Sequence, residues 1–195
     1  ATTPLRNKVK KTFNRVLVAW MESIGIKQDQ SVAPVTRNGK PVLLVINEFF
    51  KVGHAMYRCY APTIDALREH FYVVGMTAKR HCDDESIRHF DEHHYIDWSD
   101  DVALSVRGFI GKVHNIKPHA VYYPSIGMNI YAIIMANIRL SPVSLMSLGH
   151  PASSHSDAID VCLVEDQFIS DSFGFSEKLF YLDNNSSTFV PHVRQ

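Results

Sequence analysis

Apolar positions change their spacing several times along this chain, and each change marks an element. Residues 4–24 set Leu5, Val9, Phe13, Val16, Leu17, Trp20 and Ile24 at i, i+3, i+4 intervals, the stripe of an amphipathic helix. Thr2 or Thr3 offers its N-cap, Pro4 suits its first turn, and Gly25 stands where a helix stops. Residues 27–40 are polar, contain Pro34 and Asn38-Gly39, and read as a linker or exposed loop. A continuous apolar run follows, Pro41-Val42-Leu43-Leu44-Val45-Ile46, as expected of a parallel strand buried on both faces. Further strands are predicted over 71–76, 94–97, 119–123, 143–148, 160–164 and 178–182. Helical spacing runs over 55–70, 100–115 and 128–139, with a short helix near 86–90 and Asp100 or Ser99 capping the helix over 100–115.

Strands alternating with helices of ~10–16 residues build βαβ units. Right-handed crossovers then give an α/β fold, a doubly wound and mostly parallel Rossmann-like sheet. The predicted organisation is an N-terminal amphipathic helix over 1–26, the linker over 27–40 and the Rossmann-like domain over 41–195. A length of 195 residues suits one such domain, and 46% hydrophobic with 21% charged residues is the composition of a globular protein. With 20 basic and 20 acidic side chains the net charge is zero, which gives no electrostatic case for nucleic acid or an anionic membrane. The longest apolar stretch, around 130–138, falls far short of the ~20 residues that span a bilayer, so no membrane insertion is expected. The N-terminus carries Lys8, Lys10 and Lys11 on a helical pattern and has no apolar h-region, unlike a secretory signal. Three widely spaced cysteines argue against a disulfide framework and for a reducing, cytoplasmic setting. Cys59 and Cys162 read as small buried hydrophobes.

Candidate chemistry concentrates at strand-to-helix junctions. The first is Asn47-Glu48-Phe49-Phe50-Lys51-Val52-Gly53-His54-Ala55, beside a helix N-terminus that favours an anion. Gly53 allows close backbone approach and His54 brings an imidazole to the junction; the plain alternative is that His54 only caps the helix. No Gly-x-Gly-x-x-Gly follows this strand, which argues against NAD or FAD. The second is the loop Gly149-His150-Pro151-Ala152-Ser153-Ser154-His155-Ser156, rich in hydroxyl and imidazole groups able to meet phosphate or sugar oxygens. Serine-rich loops are also plain turns. At the third, Tyr123 to Asn129, Ser125, Gly127 and Asn129 are expected to face the same cleft. His81, Cys82, Asp83 and Asp84 with His89, Asp91, Glu92, His93 and His94 invite a zinc reading, but the spacing matches no tetrahedral pattern and suits a solvated acidic–basic face. Neither the Gly-x-Ser-x-Gly of serine hydrolases nor an Asp-x-Asp for a metal-bound diphosphate is present.

Three blocks, in this order, resemble the first catalytic lobe of glycosyltransferase family 41. They are the junction with Gly53-His54; Ile138-Arg139-Leu140-Ser141-Pro142-Val143 leading to Leu148-Gly149-His150-Pro151; and Asp160-Val161-Cys162-Leu163-Val164-Glu165-Asp166 followed by Ser176-Glu177-Lys178-Leu179. The match covers about residues 40–183. The most similar branch is that of the bacterial cytoplasmic N-glycosyltransferases that modify adhesins, relatives of the eukaryotic O-GlcNAc transferase. Their loop reads Gly-His-Pro-Ala-Thr-Thr-His-Ser, and here Ser153 and Ser154 stand for the two threonines. The O-GlcNAc branch has Tyr where this chain has His150, and Pro where it has Ala55.

The resemblance implies one lobe of a GT-B glycosyltransferase, with the active site between this lobe and a missing second one. It implies inverting, metal-independent transfer of a hexose, usually glucose, from a UDP-sugar to protein. In the bacterial branch the acceptor is Asn of Asn-x-Ser/Thr in adhesin-like polypeptides. His54 matches the family histidine near the reacting centre and is the catalytic candidate. Gly53, together with Gly149, His150, Pro151, Ser153, Ser154 and His155, forms the substrate-binding set. Neither cofactor nor metal is implied, the UDP-hexose being substrate, and the lobe alone is expected to be inactive. Two other readings stay open: a non-catalytic doubly wound module that holds a nucleotide or phosphosugar, and an interaction fragment whose partner is the second lobe.

Overall fold

The structure, a computed structural model, describes residues 3–169 and 174–183. The chain runs α1 (Thr3–Ser23), β1 (Thr36–Arg37), β2 (Lys40–Asn47), α2 (Ala55–Leu67), β3 (Tyr72–Ala78), β4 (Glu92–Ile96), α3 (Val102–Ile116), β5 (Ala120–Tyr123), α4 (Ile130–Met135), β6 (Val143–Ser147), β7 (Val161–Glu165) and β8 (Lys178–Leu182). The sheet is ordered β4-β3-β2-β5-β6-β7-β8, every neighbouring pair parallel, and β1 adds antiparallel to β2. The parallel, doubly wound architecture expected from the sequence is present.

β2 owes its central place to its composition. Both faces are covered, so Val42 to Asn47 are buried one after another without alternation. Val42, Leu44 and Ile46 join a core with α3 and α4, while Leu43 and Val45 join a second core with Phe50, Ile64 and Phe90. The chain winds outward from β2 through β3 to β4, then returns to lay β5 on the other side of β2. That reversal opens a crevice at the carboxyl ends of β2 and β5, where doubly wound sheets bind ligands.

Three local expectations are corrected. The segment 27–40 is not a loose linker: Arg139 N–H donates to Gln28 O and Gln30 N–H to Arg139 O, both at 2.8 Å, and Asn38-Gly39 turns β1 back onto β2 with φ of 50° and 75°. The same pairing draws Arg139 out of α4, which ends at Met135 instead of running to residue 139. The N-cap of α3 is Asp101, whose side chain accepts from Leu104 N–H at 2.9 Å.

A fourth correction, with wider consequences, concerns α1. Val9, Phe13 and Val16 of the expected apolar stripe face solvent, at 64%, 42% and 60% exposure. Asn14 faces inward instead, buried beside Met21, because its amide reaches backbone carbonyls of another segment. Leu17, Trp20 and Ile24 of the same stripe do pack against the core, so the expectation holds along the second half of α1 and fails in the first, where Asn14 takes the inward position. The Thr2 cap lies outside the described residues.

Candidate active site

A carboxylate joins the two sides of the crevice. Glu48, the first residue beyond β2, is 1% exposed. It accepts from the N–H groups of Gly127 (3.0 Å), Met128 (2.8 Å) and Asn129 (2.7 Å) and from the Ser125 hydroxyl (2.7 Å). Buried amides need acceptors, and here a side chain supplies them. The Tyr131 hydroxyl donates back to the carbonyls of Asn47 and Glu48, each at 2.8 Å. The turn after β5 is therefore fixed to the end of β2.

On that turn rests the loop after β6. Gly127 has φ +137°, and a Cβ there would stand 3.0 Å from Nδ1 of His150. At Gly149 a Cβ would lie 2.4 Å from the Met56 Cε and 2.6 Å from the Pro124 carbonyl oxygen, which accepts the Gly149 N–H at 3.0 Å. Only glycine allows this approach. The junctions after β2, β5 and β6 thus converge on one spot, with Gly149, His150 and the exposed Pro151 at the crevice.

His54 is the N-cap of α2, its Nδ1 accepting from Met56 N–H at 3.2 Å. In the neutral ring the proton then resides on Nε2, so the group left for a ligand is a hydrogen-bond donor, not a base. The ring stacks on Phe49 at 5.1 Å, and Phe49 meets His81 at 4.3 Å. Burial, reinforced by the Arg80 cation, pushes the pKa of His81 below the ordinary imidazole value. Gly53, at φ +85°, is exposed beside His54.

The second half of the loop turns inward. The Ser153 hydroxyl donates to Glu177 at 2.7 Å, as does Ser154 N–H, and the Ser154 hydroxyl adds a further bond to the same carboxylate. Asn14 of α1 donates to the carbonyls of Ser154 (3.0 Å) and His155 (2.8 Å), Lys10 donates to that of Ser153, and His155 Nε2 meets Asn7 Oδ1 at 3.0 Å. Burial tends to raise the pKa of Glu177, but the Ser154 and Ser153 bonds outweigh it and hold the carboxyl below its ordinary range. Burial lowers the pKa of His155, against the pull of Glu177. Ser153, Ser154 and His155 therefore anchor the loop to α1 and β8, and they are not gathered with His54.

The chain is 35% identical over 192 residues to the UDP-glucose:protein N-beta-glucosyltransferases of Actinobacillus pleuropneumoniae serotype 5b (strain L20) and serotype 7 (strain AP76), an alignment covering 97% of this chain. It spans about 30% of the length of those relatives. In fold it is similar to the K341M mutant of the Thermobaculum terrenum O-GlcNAc transferase, with a TM-score of 0.59 and 14% identity over 87% of this chain and 33% of that one. No family model matches the chain. In sequence the chain is thus similar to part of these protein glucosyltransferases, and in fold to part of a solved O-GlcNAc transferase.

Two site-building residues were given no role by sequence reasoning, Glu48 and Glu177. Glu48 had a readable signal: a carboxylate directly after the most buried strand, in a fold whose neighbouring strand β5 runs into Ser125 and Gly127. The zinc-like cluster resolves into separate pairs. His89 meets Tyr57 at 3.0 Å and Asp65 at 2.9 Å, His94 meets Glu92 at 2.6 Å, and Asp91 pairs with Arg68 at 2.9 Å. Among the described residues, no three His, Cys, Asp or Glu side chains converge to hold a metal.

Proposed function

We propose that this chain is the first lobe of an inverting GT-B protein glycosyltransferase that moves glucose from UDP-glucose to the Asn of Asn-x-Ser/Thr in acceptor polypeptides such as adhesins. The reaction runs in the cytoplasm and needs no metal, and a second lobe facing the crevice completes the site. The observation that carries this reading is the 35% identity along 97% of the chain to proteins named as UDP-glucose:protein N-beta-glucosyltransferases. Among the described residues, no helix is long and apolar enough to cross a membrane, which is compatible with that setting.

In the proposed reaction the Asn amide nitrogen attacks C1 of glucose, the C1–O bond to the diphosphate breaks, and UDP leaves with the bonding electrons while the amide yields its proton to solvent water. The leaving diphosphate gathers charge that preorganised donors stabilise. His54 serves as one of them through Nε2–H, since Nδ1 is held by Met56 N–H. Gly53, Gly149, His150 and Pro151 shape the surface that meets the sugar diphosphate. Ser153, Ser154 and His155 act from behind, holding that surface through Glu177 and α1.

Intact-mass analysis tests the reading. The full-length polypeptide carrying this chain, incubated with UDP-glucose and an Asn-x-Thr peptide in excess EDTA, should add one hexose to the peptide. An Asn→Gln peptide should gain nothing, and this 195-residue chain alone should be silent. Absence of hexose addition by the full-length polypeptide would overturn the proposal.

A further inference from the structure

Beyond the ends of β3 and β4, a groove of about 540 Å³ opens between the sheet and α3. Its floor is apolar: Ala78, Ile96 and Phe109 lie there, all buried, and Trp98 stands in one wall. One turn apart on α3, Gly108 and Leu104 face the groove, Leu104 with 63% of its surface exposed. The polar groups in the walls are already engaged. Ser99 and Ser105 hydroxyls meet at 3.1 Å, Ser105 also donates to Asp101 O at 2.9 Å, and Lys112 holds Asp97 at 2.5 Å and Tyr95 O at 2.6 Å. Two cations stand at the mouth, Lys79 over the Tyr95 ring at 5.9 Å and Arg80 donating through Nε to His81 Nε2 at 3.1 Å. Lys79 and Arg80 are exposed, and neither forms an ion pair with a carboxylate among the described residues.

The groove adjoins the candidate active site. Its wall residues Lys79 and Arg80 lead directly into His81, whose ring meets Phe49 at 4.3 Å, and Phe49 stacks on His54 at 5.1 Å. A polypeptide placed at the reacting centre therefore has the groove mouth beside it.

We propose that this groove binds the acceptor polypeptide, through a segment whose apolar side chains are flanked by carboxylates. The proposal rests on the glycosyltransferase reading above and names the acceptor chemistry selected beside that site. Apolar floor and cationic mouth complement such a segment in shape and charge. A nucleotide is disfavoured because the wall hydroxyls already have partners and the α3 N-terminus is capped by Asp101.

Two variants of the full-length polypeptide test this. Gly108→Leu fills the groove from α3, and a Cβ at residue 108 meets nothing within 4 Å, so the fold has room for it. Lys79→Glu reverses charge at the mouth. Each should raise the KM for an acidic-flanked Asn-x-Thr peptide about tenfold while leaving kcat and the KM for UDP-glucose within about twofold. Lys79→Glu should also favour the same peptide with basic flanks. Direct binding of the fluorescein-labelled acidic peptide, read by anisotropy without UDP-glucose, should weaken by a similar factor in both variants. Unchanged acidic-peptide KM and binding in both variants overturn the inference, and so does a selective rise in the UDP-glucose KM. If the wild-type polypeptide transfers no glucose, the functional reading fails by itself, and the anisotropy comparison still decides the groove.

Discussion

Glu48 and Glu177 are both buried carboxylates that hold a loop at the carboxyl edge of the sheet, yet they are built differently. Glu48 adjoins the central strand, and its partners lie in a single turn, Ser125 and residues 127–129. Glu177 gathers Ser153 and Ser154, in an assembly that also requires Lys10 and Asn14 from a helix well over a hundred residues away in sequence. The first tie lies at the edge of the sheet; the second is shared with α1. The two halves of one loop are therefore supported differently: Gly149 and His150 rest on the Glu48 turn, whereas Ser153, Ser154 and His155 are held by Glu177 and α1 together.

Glu48→Ala should have the largest effect on the fold. It leaves a buried hydroxyl and three part-buried backbone amides without an acceptor, for a loss of about 2–4 kcal/mol in urea unfolding. Glu48→Gln keeps an acceptor oxygen and should lose less. A Glu48→Ala variant as stable as wild type would break the comparison.

His54→Ala sharpens it from the catalytic side. Turnover by the full-length polypeptide should fall about 10²-fold, the scale of losing one preorganised donor, while unfolding shifts by about 1 kcal/mol for the lost cap. His114→Ala, on α3, should leave turnover near wild type. Full activity in His54→Ala would reduce His54 to a capping residue.

At the second tie the test is pH. The folded pKa of Glu177 lies below its value in the unfolded chain, so its contribution is fully present above about pH 4.3 and disappears as pH falls through the depressed folded value. Wild type should therefore lose more stability than Glu177→Gln across that acid range. Identical acid limbs would show that the tie carries no charge-dependent stability. Smallest of all, Asn14→Ala should cost about 1 kcal/mol, through α1. Hydrogen exchange should then rise in residues 153–156 and stay unchanged in 124–129.

Much of the sheet was legible because a parallel strand covered on both sides needs an unbroken apolar run, and 41–46 and 119–123 have one. Helix α4 was overextended, since Ile133, Ile134 and Met135 continue a helical pattern into Ile138 while the pairing of Arg139 with Gln28 and Gln30 is visible only in three dimensions. The crevice residues Gly53, His54, Gly149 and His150 could be found from their junctions. Glu48 and Glu177 could not be assigned roles so readily, because a carboxylate reads as solvent-exposed until the amides or hydroxyls it accepts are known. The same blindness applies to the first half of α1: Asn14 looks like a surface residue, and its partners Ser154 and His155 are remote in sequence.

Of the two tryptophans in the chain, Trp20 belongs to α1 and Trp98 lies against Tyr131 in the groove wall. Fluorescence can therefore observe the docked helix and the carboxyl edge separately. In Trp20→Phe the emission comes from Trp98 alone, and an occupant excluding water from that indole should shift it to the blue. In Trp98→Phe the remaining Trp20, half-buried on α1, should shift to the red when the helix lifts away.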